Sequence, residues 1–154
     1  MSDKKPQKRH KALQPLSREH HHGLLLSWKI RSGFSKNIAP ERIKRYADWF
    51  YENHLIPHFK IEEAHIFTIL NDDHELVKRA LADHRRLKRL FTEESDDIKR
   101  LSKIEEELDK HIRFEERVLF PEIQKIATEN QLALIEEVHQ EHDFVDNIED
   151  EFWK

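Results

Sequence analysis

Two His–Glu pairs are the residues of this sequence best suited to chemistry. His58 and Glu62 are four residues apart, and His111 and Glu115 repeat this spacing within a similar stretch of sequence. Four residues are about one turn of an α-helix, so each pair lies on one helix face. Imidazole and carboxylate groups bind transition metals, and two glutamates can bridge two ions about 3.5–4 Å apart. The repeated pair therefore predicts a two-metal site between helices.

Two other predicted helices offer histidines to the same site. His84 lies in an apolar stripe. Glu62 precedes the loop near Asn71 and His84 follows it, and their distances from that loop agree within about one turn of helix. The first helix offers His20, which we favour, or His21, and only one of them is expected to bind metal. The predicted metal ligands are therefore His20 or His21, His58, Glu62, His84, His111 and Glu115.

Composition restricts the type of metal site. The sequence has no cysteine, which excludes disulfides, thiolate zinc sites and thiolate-bound iron–sulfur clusters among its 154 residues. Its 12 histidines supply imidazole instead, so any metal must be held by nitrogen and oxygen.

The hydrophobic spacing predicts an all-α protein. Only 2 glycines and 5 prolines are available for turns, and 38% of the residues are charged, as expected for amphipathic helices joined by short loops. We expect a flexible basic arm over residues 1–14. Residues 15–154 are expected to form an antiparallel up-down four-helix bundle with an additional C-terminal helix. Ser32-Gly33 is interpreted as the end of the first helix, Pro57 as a kink, and Thr128 as the start of a last helix through Ile148.

Charge and hydropathy limit the partners. The net charge of −4 argues against a nucleic-acid-binding protein, and no apolar run is long enough to span a membrane. Without an apolar signal segment near the N-terminus, a cytoplasmic protein is the default expectation. The apolar stripe of the last helix suits either docking on the bundle or formation of a homodimer.

The motifs resemble the hemerythrin-like, or HHE cation-binding, family over about residues 16–121. The resemblance rests on Arg18-Glu19-His20, His58-Phe-x-x-Glu62-Glu63, Asp83-His84 and His111-x-x-x-Glu115-Glu116-Arg-Val-Leu-Phe-Pro121. It implies a four-helix bundle that holds two iron ions bridged by Glu62 and Glu115, with His20 or His21, His58, His84 and His111 as the remaining ligands.

The sequence departs from the oxygen-carrying members of that family in two ways. A second histidine is missing four residues from His84, where Ala80 and Lys88 stand, and Glu115 follows His111 by four residues rather than five. The implied centre has one nitrogen ligand fewer and is more open. The expected function is binding or sensing of a diatomic such as dioxygen or nitric oxide. The alternative is a di-iron oxidoreductase that consumes peroxide or nitric oxide, or an iron-handling or repair protein.

Two other hypotheses compete with this one. Glu62-x-x-His65 and Glu136-x-x-His139 match the Glu-x-x-His motif of ferritin-like carboxylate bundles, although this choice leaves the His111–Glu115 pair unused. The other hypothesis is a metal-free helical protein that binds partners through its N-terminal arm and last helix.

Overall fold

The computed structural model describes residues 8–139 and 143–154, and this part of the chain is all-helical without strands. The α-helices are α1 (Gln14–Ser35), α2 (Pro40–Phe50), α3 (Ile56–Ile61), α4 (Glu75–Thr92), α5 (Asp97–Phe114), α6 (Phe120–Ile126) and α7 (Glu129–Val138). Helix α1 packs against α2 and α5, and α5 also packs against α2 and α4.

Wider π-helical turns join some of these helices into longer rods. The turns Tyr51–Leu55 and Glu62–Ile66 flank α3, and the turn Glu115–Leu119 joins α5 to α6. Pro57 and Pro121 follow two of the turns, and proline has no N–H for the usual helical hydrogen bond. The distortion expected near Pro57 is thus a local widening of a continuous helical path.

Local side-chain chemistry explains where three of the helices begin. Helix α2 begins at Pro40, whose missing N–H would have no helical partner there. The Asp96 carboxylate accepts a hydrogen bond from the backbone N–H of Ile98 at the start of α5. Thr128 and Gln131 form a reciprocal capping box at the start of α7.

Gly33 does not end the first helix, which continues to Ser35. A Cβ atom at Gly33 would lie 2.7 Å from Ile43 Cδ1 and 2.9 Å from the Phe152 ring. This glycine therefore permits close packing of α2 and the C-terminal segment on α1, so its interpretation as a stop signal is wrong.

Buried side chains form two hydrophobic clusters, with the histidines and glutamates between them. Along α1 the chain runs from the cluster containing Leu16 to the cluster containing Leu26. The rod over residues 40–69 runs in the opposite order, α4 repeats the order of α1, and α5 with its extension reverses it again. Each of the four helical stretches therefore passes the same polar layer.

The described part of the expected N-terminal arm is packed on the helices. Residues 1–7 lie outside the described residues. Ala12 and Leu13 are buried, the Arg9 guanidinium donates to the backbone carbonyl of Glu116 at 2.8 Å, and the His10 N–H donates to Gln124 at 2.9 Å. Residues 9–13 thus contact the helices through apolar and hydrogen-bonding groups, and the flexibility of the arm stays a prediction.

The last helix is shorter than predicted. It ends at Val138, and residues 143–154 follow an irregular path on which Phe152 and Trp153 are buried. The prediction of a helix through Ile148 is wrong over residues 143–148, and His142 lies outside the described residues. Burial of the two aromatic side chains against α1 and α2 outweighs the helical periodicity of this segment.

No helix among the described residues combines the length and apolar character needed to cross a lipid bilayer.

Candidate metal centre

The fold brings six of the predicted ligands into one buried cluster. Their side chains form two groups whose potential ligand atoms lie within 4.8 Å of one another. Glu62 and Glu115 are fully buried and belong to both groups. The first group adds His20 and His58 to these glutamates, and the second adds His84 and His111. Such buried groups could hold metal ions.

The two carboxylate oxygens of Glu62, and likewise those of Glu115, face histidines of different groups. Glu62 Oε2 lies 3.2 Å from His58 Nε2, while its Oε1 lies 3.1 Å from His84 Nε2. Glu115 Oε1 lies 2.8 Å from His20 Nε2, while its Oε2 lies 3.3 Å from His111 Nε2. Each carboxylate therefore directs one oxygen to each pair of histidines, as a bridging carboxylate would between two ions.

The central atoms lack hydrogen-bond partners. Among the described residues, both oxygens of Glu62, Oε2 of Glu115 and Nε2 of His58, His84 and His111 are buried and have only the close contacts given above, without a well-aligned hydrogen bond. A buried unpaired polar atom costs about 1–3 kcal/mol, and more if it is charged. Bound cations would satisfy these atoms together, so the side chains present fit a metal centre.

Four more carboxylates hold the outer nitrogens of the histidines. Each accepts or shares a hydrogen bond at an Nδ1 atom and so directs Nε2 inward. The pairs are His20 with Glu116 at 2.6 Å, His58 with Glu19 at 2.6 Å, His84 with Glu63 at 2.7 Å and His111 with Asp83 at 3.0 Å.

Sequence reasoning did not assign these orienting roles, although a signal was present. Glu63 and Glu116 directly follow the two central glutamates, while Glu19 and Asp83 directly precede ligand histidines. The pairs cross between helices, so adjacency along the chain marks the carboxylates but does not identify their partners.

Electrostatics keep the histidines protonated when no metal is present. Burial disfavours the charged imidazolium, but Glu62 and Glu19 outweigh this effect and raise the pKa of His58 to about 9. Burial likewise opposes protonation of His111, but Glu115 and Asp83 raise its pKa to about 10. Metal binding therefore competes with protons for these nitrogens.

Glu62 and Glu19 are correspondingly ionised. Burial alone would raise the pKa of Glu62, yet the neighbouring histidines His58, His20 and His84 hold it well below the usual range. Burial also opposes ionisation of Glu19, but His139 and His58 lower its pKa to about 2. These two carboxylates are therefore negatively charged at neutral pH.

The backbone widens at both central glutamates. The turn Glu62–Ile66 begins at the first glutamate and the turn Glu115–Leu119 begins at the second. Single π-helical turns inside α-helices often occur at functional sites. Here they lie one turn after His58 and His111, at the height where four helical stretches meet.

A cavity of about 720 Å³ extends from the cluster towards the surface. It reaches His20, His58, His111 and Glu115, and its walls include the apolar side chains of Phe50, Leu55, Phe59, Leu108, Ile112 and Phe144. The histidines of the first group therefore both border it, whereas His84 does not.

The remaining candidate histidines lie outside the cluster. His21 is exposed and contacts the His22 ring at a centroid distance of 5.5 Å, so His20 and not His21 belongs to the groups that could hold a metal ion. His65 is half-buried and His139 lies 3.0 Å from the Glu19 carboxylate. The described residues therefore do not bring the two Glu-x-x-His motifs into one metal group.

Comparisons of this chain with protein-family models, curated proteins and solved structures found no match.

Proposed function

We propose that this chain is a hemerythrin-like protein in which Glu62 and Glu115 bridge two iron ions. The observation that carries the proposal is the division of each glutamate's oxygens between His20 and His58 on one side and His84 and His111 on the other. A single ion would not require a second set of histidines arranged in this way.

The same proposal includes an antiparallel up-down four-helix bundle. Its support is the alternating order in which successive helical stretches meet the two hydrophobic clusters. Alternation is what up-down connectivity with short loops produces. The ligands then meet because each stretch passes the polar layer once.

The donor set favours iron and an exogenous ligand. Each group offers two imidazole nitrogens and two carboxylate oxygens. Sets of two histidines and carboxylate with open positions are typical of non-haem ferrous centres that react with dioxygen. The histidines and glutamates of each group would hold the iron, and reduced iron held there would supply a position for dioxygen or nitric oxide, the proposed ligands.

The protein side chains around the centre have two roles in this function. Glu19 and Asp83 hold the Nδ1 atoms of His58 and His111, and so fix the orientation of both rings. Phe59 stacks on His84 at a centroid distance of 3.8 Å and, with the cavity's other apolar walls, limits the access of water.

Spectroscopy of the iron-loaded protein tests this function. Iron is added anaerobically, metal content is measured by elemental analysis, and optical spectra are recorded before and after exposure to dioxygen or nitric oxide. We expect two irons per chain and a new charge-transfer band with at least one of the gases. Glu62→Ala should show neither.

Two results would contradict the proposal. Iron-loaded protein that gives no new band with either gas would exclude diatomic binding. Protein from iron-supplemented cells that contains no metal would favour the metal-free interaction protein instead.

The cavity favours a second function, an oxidoreductase that uses the same centre. Its 720 Å³ greatly exceeds the space that a diatomic needs and lies within the range of about 300–1,000 Å³ typical of sites for larger ligands. Turnover of peroxide or nitric oxide is the measurement. Equal rates for the unaltered protein and Glu62→Ala would reject catalysis at this centre. The role in iron handling or repair lacks a comparable observation.

A homodimer through the last helix stays a prediction. Leu134 and Val138 of α7 are 50% and 38% exposed, which leaves apolar surface available for a second copy. Light scattering of the unaltered protein and of Leu134→Glu would measure the oligomeric state.

A further inference from the structure

The cavity beside the metal cluster has features that a diatomic ligand does not explain. Its volume is about 720 Å³, and several aromatic rings line it, among them Phe50, Phe59 and Phe144. Pockets of this size enclose most of the surface of a drug-sized organic molecule. Aromatic walls pack best against a flat apolar ring.

The charged side chains around the cavity balance one another. Apart from the metal cluster, the lining carries the cations Arg18 and Lys60 and the anions Glu19 and Asp143. Among the lining residues that the structure describes, no sign of charge dominates, so they do not favour a strongly anionic or cationic ligand. An uncharged molecule matches it best.

One polar group on the cavity wall has no protein partner. His54 lines the cavity one helical turn before His58, and its Nε2 has no hydrogen bond among the described residues. This atom has almost no exposed surface, so a ligand in the cavity reaches it only when the imidazole ring turns. Burial lowers the pKa of His54, so its imidazole is neutral at pH 7. The ring forms part of the aromatic wall, with centroid distances of 5.2 and 4.6 Å to Phe50 and Phe144.

We propose that this cavity binds an uncharged aromatic molecule that carries a hydroxyl group, such as a phenol, next to His20 and His58. The aromatic ring packs against the phenylalanine side chains. Once the imidazole ring turns towards the cavity, the hydroxyl group pairs with His54 Nε2, and it can donate or accept according to the tautomer of the imidazole. This inference deepens the proposed function, since it names a class of substrate or effector for the same centre.

Binding of 2-naphthol to the metal-free protein tests the cavity independently of iron. Calorimetry should show saturable binding, with naphthalene-2-sulfonate at least about tenfold weaker because its sulfonate must lose water in a cavity whose described lining has no excess of positive charge. His54→Phe keeps an aromatic ring but removes the nitrogen, and should weaken 2-naphthol binding about 2–10-fold. Leu108→Phe should weaken binding because the larger side chain narrows the cavity, whereas the exposed Leu134→Phe should not change it.

Nuclear magnetic resonance locates the bound molecule. The imidazole ring signals of His20 and His58, which line the cavity, should shift on addition of 2-naphthol, while those of His84 should not. Melting temperatures show whether Leu108→Phe is folded, and His54→Phe provides a second test if it is not.

The outcomes separate this inference from the proposed function. Absence of 2-naphthol binding, or binding that His54→Phe leaves unchanged, would overturn the aromatic pocket even if iron binds. Binding without the shifts at His20 and His58 would place the ligand elsewhere and overturn it too. Failure to bind iron would reject the metal centre but leave the result in the metal-free protein intact.

Discussion

Glu63 and Glu116 occupy equivalent positions beside the two histidine–glutamate groups of the candidate metal centre. Glu63 pairs with Nδ1 of His84 at 2.7 Å and Glu116 pairs with Nδ1 of His20 at 2.6 Å. Each follows a central glutamate by one residue, yet each orients a histidine on another helix. The repeated His-x-x-x-Glu-Glu element therefore supplies both a central carboxylate and an orienting carboxylate.

Substitutions of the neighbouring residues Glu62 and Glu63 should have different effects on metal binding. Glu62→Gln removes an anionic donor from both groups, so metal content should fall from two ions per chain towards none. Glu63→Gln keeps all the direct ligands and should lower metal affinity about 10–100-fold while the stoichiometry stays at two. Elemental analysis and calorimetric titration measure the two quantities. Equal losses in both variants would contradict this division of roles.

The neighbouring histidines His20 and His21 provide a second matched pair. His20→Ala should reduce the metal content, because His20 is buried with its Nε2 2.8 Å from Glu115. His21→Ala should leave metal content and melting temperature unchanged, since His21 is exposed. Metal analysis of both variants after identical loading decides between them, and a loss only in His21→Ala would reverse the assignment.

The stability of the metal-free protein should decrease at alkaline pH. His58 and His111 have pKa values of about 9 and 10 in the folded protein, above the value of about 6.5 expected when unfolded. A raised folded pKa contributes stability that is fully present below pH 6.5 and is lost as the pH rises through 9 to 10.

Urea unfolding between pH 6 and 10 measures this dependence on pH. The free energy of unfolding should fall across the interval in metal-free protein and fall less in His111→Gln. Metal should remove the decrease, because the bound form requires neutral imidazoles. A free energy of unfolding that rises with pH in the metal-free protein would be inconsistent with protonated histidines in the cluster.

An ion pair between the buried Lys29 and the half-buried Asp146 should hold the C-terminal segment on the helices. Lys29 Nζ donates to Asp146 and to the Tyr46 hydroxyl, each at 2.7 Å, and lies 3.9 Å from the centroid of the Trp153 ring. Asp146→Asn should lower the free energy of unfolding by about 1–3 kcal/mol, because Lys29 is buried and loses its anionic partner.

The surface pair between Arg42 and Asp150 is the matched control. Its closest distance is also 2.7 Å, but it is exposed to solvent, so Asp150→Asn should not change stability measurably. Denaturant titration of both variants makes the comparison. If both variants lose the same free energy of unfolding, burial of Lys29 does not explain how much its ion pair contributes to stability.

Much of the site was readable from the sequence because local spacing determines it. Four-residue spacing places His58 with Glu62 and His111 with Glu115 on common helix faces, whatever the tertiary packing. The absence of cysteine limited the donors to nitrogen and oxygen. The all-helical class followed from the same periodicity, and it is confirmed for the described residues.

Only tertiary structure distinguished His20 from His21 and identified which carboxylate orients which histidine. Both depend on the rotation of one helix relative to another, which chain spacing does not specify. The path of residues 143–154 was likewise decided by burial of Phe152 and Trp153 and by the buried cation of Lys29. Helical periodicity describes a preference of the local chain, whereas these contacts join residues more than 100 positions apart and outweigh it.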